Sequence, residues 1–139
     1  MNTREVFVDS SGWYAMIDAD DPNHGAAVRT LRRLAAERRV LVSTNHVIGE
    51  TYTLLRKRLG FRLAHAFLQY VRTDPSVRRT FVSEEWEEEA ERLLEQFDDQ
   101  LFSYVDAVSF VTMRRLRILE ALAFDRDFVI AGFILAGDE

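Results

Sequence analysis

The chain predicts an α/β fold: a central, mostly parallel sheet of four to five strands with helices on both faces. Three observations carry that prediction. Short apolar runs such as Val6-Phe7-Val8 and Val40-Leu41-Val42 alternate with longer stretches whose apolar residues recur at helical spacing. Those stretches are long enough to be the crossover helices that parallel strands need. Acidic residues follow several of the apolar runs, at the strand ends where open sheets place their sites.

In chain order, Val6 to Asp9 reads as a short buried strand and Ser10 to Ile17 as a helix with Trp13 and Ile17 on one side. Asp21-Pro22 reads as a helix start, Asp capping and Pro at the first helical position. Ala27, Val28, Leu31, Leu34 and Ala35 carry that helix to about Arg38. Val40 to Ser43 is the second strand. Thr44 caps a helix running to about Leu59 and ended by Gly60. Phe61 to Arg72 is a further helix, stopped by Asp74-Pro75. Val77 to Val82 reads as the third strand, and Ser83 caps a helix whose glutamate-rich first turn suits the positive end of the helix dipole. Val105 to Leu116 is helical, Ala121 to Phe124 is the fourth strand, and Phe133 to Leu135 is a candidate fifth.

With 139 residues, 47% hydrophobic and 29% charged, the expectation is a single domain over residues 1–139, with an ordinary globular balance. No apolar run approaches the roughly 18 residues of a membrane span. Met1 to Glu5 runs into a strand without signal-peptide character, so a cytoplasmic protein is expected. Without cysteine, disulfide and thiolate chemistry are excluded. A net charge of −5 argues against non-specific nucleic-acid binding, but the charge is unevenly placed. Glu84, Glu85, Glu87, Glu88, Glu89 and Glu91 suit one solvated helix face. Arginines cluster at Arg29 to Arg39, around Arg56, Lys57 and Arg58, and at Arg114, Arg115 and Arg117.

Four carboxylates, Asp9, Glu50, Asp106 and Asp125, sit at strand ends or early in helices. Asp9 suits a metal ligand and a helix N-cap equally. Glu50 lies in the otherwise apolar or small segment Val47 to Leu55, where a charge is costly. A surface ion pair with Arg56 or Arg58 is its ordinary reading, but position i+4 is Leu54, which favours the ligand reading. Asp106 also fits a helix cap, and Asp127 competes with Asp125. Converging carboxylates repel unless some are protonated or a cation is present. A mostly carboxylate site points to Mg²⁺ or Mn²⁺, not zinc. Such a site suits in-line phosphoryl displacement by an activated water.

Phe7-Val8-Asp9-Ser10-Ser11, Thr44 to Glu50, Val105-Asp106-Ala107 and Ala123 to Phe128 together resemble the motifs of PIN-domain ribonucleases, closest to VapC-type toxins of toxin–antitoxin pairs. The resemblance covers nearly the whole chain. It implies a PIN-like three-layer α/β/α fold and an endoribonuclease dependent on Mg²⁺ or Mn²⁺. By position it assigns the acidic roles to Asp9, Glu50, Asp106 and Asp125. Asp9 and Asp106 would hold the principal ion, Glu50 would bind metal or orient water, and Asp125 would complete the site. Ser10, Asn45 and Asp127 are then candidate supporting or substrate contacts. Arg56, with Lys57 and Arg58, is a candidate phosphate contact. The resemblance also implies a structured RNA substrate such as transfer or ribosomal RNA, a cognate antitoxin and a homodimer. One departure stands out: many relatives carry Ser or Thr directly before the third acid, where this chain has Val105 and places Ser103 two positions earlier.

Other residues fit structural roles. His24 reads as a helix-start contact and His65 as half-buried; Trp13, Tyr52, Phe67, Tyr70 and Phe110 read as core or interface. Three alternatives compete with the toxin reading: a catalytically weak PIN-fold binding module, a PIN nuclease of RNA processing without an antitoxin, and a receiver-like domain phosphorylated on Asp9. The last expects a lysine near the final strand, and the one lysine is Lys57.

Overall fold

The computed structural model describes residues 2–137. Its elements are β1 (Glu5–Val8), α1 (Ser10–Ile17), α2 (His24–Ala36), β2 (Val40–Thr44), α3 (Asn45–Leu59), α4 (Phe61–Thr73), β3 (Val77–Thr80), α5 (Glu84–Gln96), α6 (Tyr104–Leu116), β4 (Glu120–Leu122), α7 (Asp127–Ile130) and β5 (Ile134–Leu135). All five strands are parallel and lie in the order β3-β2-β1-β4-β5. The expected fifth strand is present, reduced to two residues.

Strand order and chain handedness decide the layers. The first two crossovers step outward from β1 to β2 to β3, and the next returns across the sheet to β4. Right-handed crossovers put helices of opposite step direction on opposite faces. Packing agrees: α1 contacts α2 and α3, and α3 contacts α4, whereas α5 packs on α6. The α/β/α layering expected from the sequence is therefore observed.

Strand alternation supplies each face with its core. Phe7 points to a cluster in which Phe110 and Phe128 meet edge to face at 4.9 Å, and Phe102 packs on Phe110 at 5.1 Å. On the other face Trp13 packs against Phe67 and Tyr70. Its indole Nε1 donates to Ser43 Oγ at 3.2 Å, and that hydroxyl donates to the Val8 carbonyl at 2.9 Å. Trp13 thereby ties α1 to the first two strands without leaving a buried donor unpaired.

Several boundaries differ from the sequence expectation. Asp21-Pro22 does not open α2. Asp21 Oδ1 accepts from the Asn23 amide at 2.8 Å and its carbonyl from His24 at 2.9 Å, so the segment closes an Asx turn and the helix starts at His24. The same helix stops at Ala36, because Arg38 turns left-handed with φ 56°. β3 ends at Thr80, and β4 is Glu120–Leu122, so Phe124 lies beyond the strand. His65 is exposed and stacked on Phe61 at 5.3 Å rather than half-buried.

Candidate active site at the carboxyl edge of the sheet

Strand order reverses beside β1, whose neighbours are β2 and β4. In open α/β sheets the crevice for ligands opens at this point, outside the carboxyl ends of the strands. Asp9 is the first residue past β1. Its amide donates to the Leu122 carbonyl of β4 at 3.2 Å, which seats it at the reversal. Gly12, one turn into α1, makes this approach possible: a Cβ there would land on the Leu122 carbonyl oxygen.

Asp9 stands at the N-cap position of α1, yet its carboxylate makes no capping hydrogen bond. Instead Oδ2 accepts from the Ser11 hydroxyl at 3.0 Å, and Ser11 Oγ accepts from the Phe124 amide at 3.0 Å. Ser11 thus bridges the ends of β1 and β4. The sequence reading passed over it; a hydroxyl two residues after a strand-end aspartate was the available signal. Asp9 is only 4% exposed. Burial pushes its pKa from 3.8 up to about 6; hydrogen bonding with Ser10 and Ser11 offsets part of the rise and the Asp106 charge adds to it.

Asp106 sits in the first turn of α6 and completes a capping box. Its Oδ2 accepts from the Ser103 amide and its own amide donates to Ser103 Oγ, both at 3.0 Å. The displaced serine therefore engages the third acid, by capping rather than from the preceding position. Burial raises the Asp106 pKa, Ser103 opposes the rise, and the Asp125 charge reinforces it. Asp125 lies in the loop after β4, where its Oδ1 accepts from the Asp127 amide at 2.9 Å. That turn brings Asp127 into the group. Burial and then the Asp125 charge raise the Asp127 pKa.

Carboxylate oxygens of Asp106, Asp125 and Asp127 all lie within 4.8 Å of one another. Ligands on opposite sides of Mg²⁺ stand about 4.2 Å apart, so this spacing fits a hard cation after a small closure. Glu50, half-buried on α3, is not part of that group; it accepts from Ser10 Oγ at 2.6 Å, next to Asp9 in the chain. It makes no ion pair with Arg56 or Arg58 among the described residues.

Two supporting candidates also make structural contacts. Asn45 Oδ1 accepts from the Val82 amide at 3.0 Å and so pins the chain after β3. The Arg56 guanidinium lies 5.9 Å from the Phe61 ring, toward α4. Arg58, two residues on, lies 5.1 Å from the Tyr14 ring beside Ser10 and Ser11.

A PIN domain model matches residues 6–134. This chain belongs to the PIN domain family. It is 43% identical over 129 residues to VapC20, a 23S rRNA-specific endonuclease of Mycobacterium tuberculosis, in strains CDC 1551 / Oshkosh and ATCC 25618 / H37Rv. The match spans 93% of this chain and 95% of that relative. The crystal structure of M. tuberculosis VapC20, described as a sarcin–ricin loop cleaving toxin, superposes with a TM-score of 0.83 at 42% identity. It covers 93% of this chain and 96% of that one. The resemblance read from four short motifs thus holds along the PIN fold.

Proposed function

We propose that this PIN domain is a VapC-type endoribonuclease, dependent on Mg²⁺ or Mn²⁺, that hydrolyses structured RNA. By its likeness to VapC20 the substrate is the sarcin–ricin loop of 23S rRNA. The observation that carries the reading is the gathering of Asp106, Asp125 and Asp127 carboxylate oxygens within 4.8 Å, with Asp9 near enough to Asp106 to feel its charge.

Asp106, Asp125 and Asp127, with Asp9 beside Asp106, would hold the ion. Bound there, a hard divalent cation neutralises the carboxylates and the phosphate and makes water a better nucleophile. Glu50, held by Ser10 on the flank of the cluster, orients the attacking water and accepts its proton. The water oxygen would bond to phosphorus as the bond to the 3′ oxygen breaks in line, and the leaving 3′ oxygen would take up a proton from solvent. The products are a 5′-phosphate and a 3′-hydroxyl. Ser11 keeps Asp9 aligned, and the capping box does the same for Asp106.

The reading includes a cognate antitoxin and a homodimer, as in the toxin–antitoxin pairs the chain resembles. An apolar groove of about 340 Å³ between α1, α2 and α4, lined by Trp13, Ile17, Leu31, Leu63 and Phe67 among others, offers a protein partner a seat. No helix among the described residues is long and apolar enough to cross a membrane.

The test is cleavage of 23S rRNA and of a sarcin–ricin hairpin by purified protein with Mn²⁺, Mg²⁺ or EDTA, beside Asp9→Asn. Discrete fragments that need the metal and disappear in the variant are expected. Cleavage equal in the variant, or no cleavage under any condition, would reject the reading.

A further inference from the structure

Arg58 is the one cationic side chain lining a cavity of about 220 Å³ that also takes in Ser10, Ser11 and Tyr14. Both serines are already committed to the carboxylates, Ser10 donating to Glu50 and Ser11 to Asp9. The cavity wall thus shares these two serines with Asp9 and Glu50. Arg58 closes α3 on the same helix that carries Glu50, eight residues and about 12 Å further along the axis.

The guanidinium is held rather than free to wander. It lies 5.1 Å from the centre of the Tyr14 ring, and that ring is 6% exposed and locked by its hydroxyl, which donates to Asp18 Oδ2 at 2.6 Å. The guanidinium also engages the Tyr14 hydroxyl, and its five N–H donors leave others for a further partner. Among the described residues Arg58 makes no ion pair, although its side chain is exposed. Asp18 is near enough to feel its charge, but is engaged by Tyr14 and by the Asp20 amide at 2.9 Å. Asp21, also on the cavity wall, is engaged by the Asn23 amide.

A polyanion approaching this edge meets the carboxylates of Asp106, Asp125 and Asp127, with Asp9 beside them, and a divalent ion offsets only part of that charge. A pre-oriented arginine without an ion pair, one cavity away from the Ser10 and Ser11 contacts to the acids, offsets part of the repulsion and takes a phosphate through its forked donors. We infer that Arg58, stacked on Tyr14, forms a subsite for an RNA phosphate flanking the scissile one, on the α1–α3 side of the carboxylate cluster. This rests on the ribonuclease reading above. It shifts the phosphate-binding role from Arg56, which lies against Phe61, to Arg58.

The experiment compares the sarcin–ricin hairpin with Arg58→Gln and Arg58→Lys. Binding is measured as a function of salt in the Asp9→Asn background, and cleavage kinetics in the otherwise native chain. Arg58→Gln is expected to weaken binding about tenfold at moderate salt. It should lower the slope of log affinity against log salt by about 0.7 to 0.9, the signature of one lost phosphate contact. The loss should fall in KM more than in kcat, with an unchanged melting temperature. Arg58→Lys should keep the slope while losing part of the affinity. An unchanged slope in Arg58→Gln, or an equal change of slope in both variants, would overturn the subsite and leave the nuclease standing. A parent protein that neither binds nor cuts the hairpin would overturn both.

Discussion

Asp9 carries its carboxylate almost out of water, beside Asp106, and the cost of that placement is readable as a pH dependence. Its pKa in the fold, about 6, lies above its ordinary value of 3.8, so the native state binds the proton more tightly than the unfolded chain. Stability from this group is complete below the lower value and is lost as pH rises toward the upper one, by at most about 1.4 kcal/mol per pH unit. Asp106 and Asp127, also raised, act in the same direction. Urea unfolding in EDTA should therefore show falling stability across that window, and Asp9→Asn should flatten much of the slope. A slope identical to the parent's would show that Asp9 does not titrate as its burial implies. Ser10 and Ser11 show at the same scale why a carboxylate needs company: each places one hydroxyl on one acid.

Among elements, the junction of β1, α1 and β4 is the least tolerant. The amino terminus of α1 is pressed against β4 so closely that Gly12 faces the Leu122 carbonyl with no room for a methyl group. Gly12→Ala should push α1 away from β4, disturb the Asp9–Leu122 hydrogen bond and cost about 1–3 kcal/mol or more. Thermal unfolding checks this, and cleavage should fall further than stability because Asp9 moves with the helix. A melting temperature unchanged from the parent would contradict the close packing. Elsewhere the elements end by ordinary devices. Thr44 accepts from Val47 at 3.1 Å to start α3, and Gly60, at φ 95°, separates α3 from α4. Ser83 accepts from Trp86 at 3.2 Å to start α5, whose glutamates meet Arg115 of α6 at Glu85 and Glu89. Those exposed pairs add little stability.

For the molecule as a whole, the proposed metal site predicts that stability depends on cation concentration, since Asp106, Asp125 and Asp127 crowd their charges together. An ion that binds only the native state adds about 2.7 kcal/mol at a hundredfold excess over its dissociation constant. For a chain of this size that corresponds to a rise in Tm of about 5 to 10 °C. Mn²⁺ or Mg²⁺ should produce the rise, and Asp9→Asn or Asp106→Asn should remove most of it. An undiminished rise in both variants would mean that the ion binds elsewhere. The strand order makes the site a property of the whole fold, because the residues come from the ends of β1 and β4, from α3 and from α6.

Much of this was written in the sequence. Apolar runs of three or four residues, helical periodicity and capping residues are local properties, so the order of strands and helices followed from them, as did the α/β class. Asp9, Asp106 and Asp125 were legible as candidates for the same reason, each lying at or just beyond the end of a locally encoded element, and Glu50 as a charge in an otherwise apolar or small helical segment. Other features were decided only when distant segments met. Asn45 was drawn to the Val82 amide because β2 and β3 pair side by side. Asp127 joined the cluster because a turn of two residues folds its amide onto Asp125. Ser11 gained its role from the Phe124 amide, more than a hundred residues away. Arg58 meets the Tyr14 ring, and Arg56 the Phe61 ring, because of where α3 lies against α1 and α4. Spacing along a chain fixes which face of an element a side chain occupies, but its partner there is supplied by another element, and only packing brings the two together.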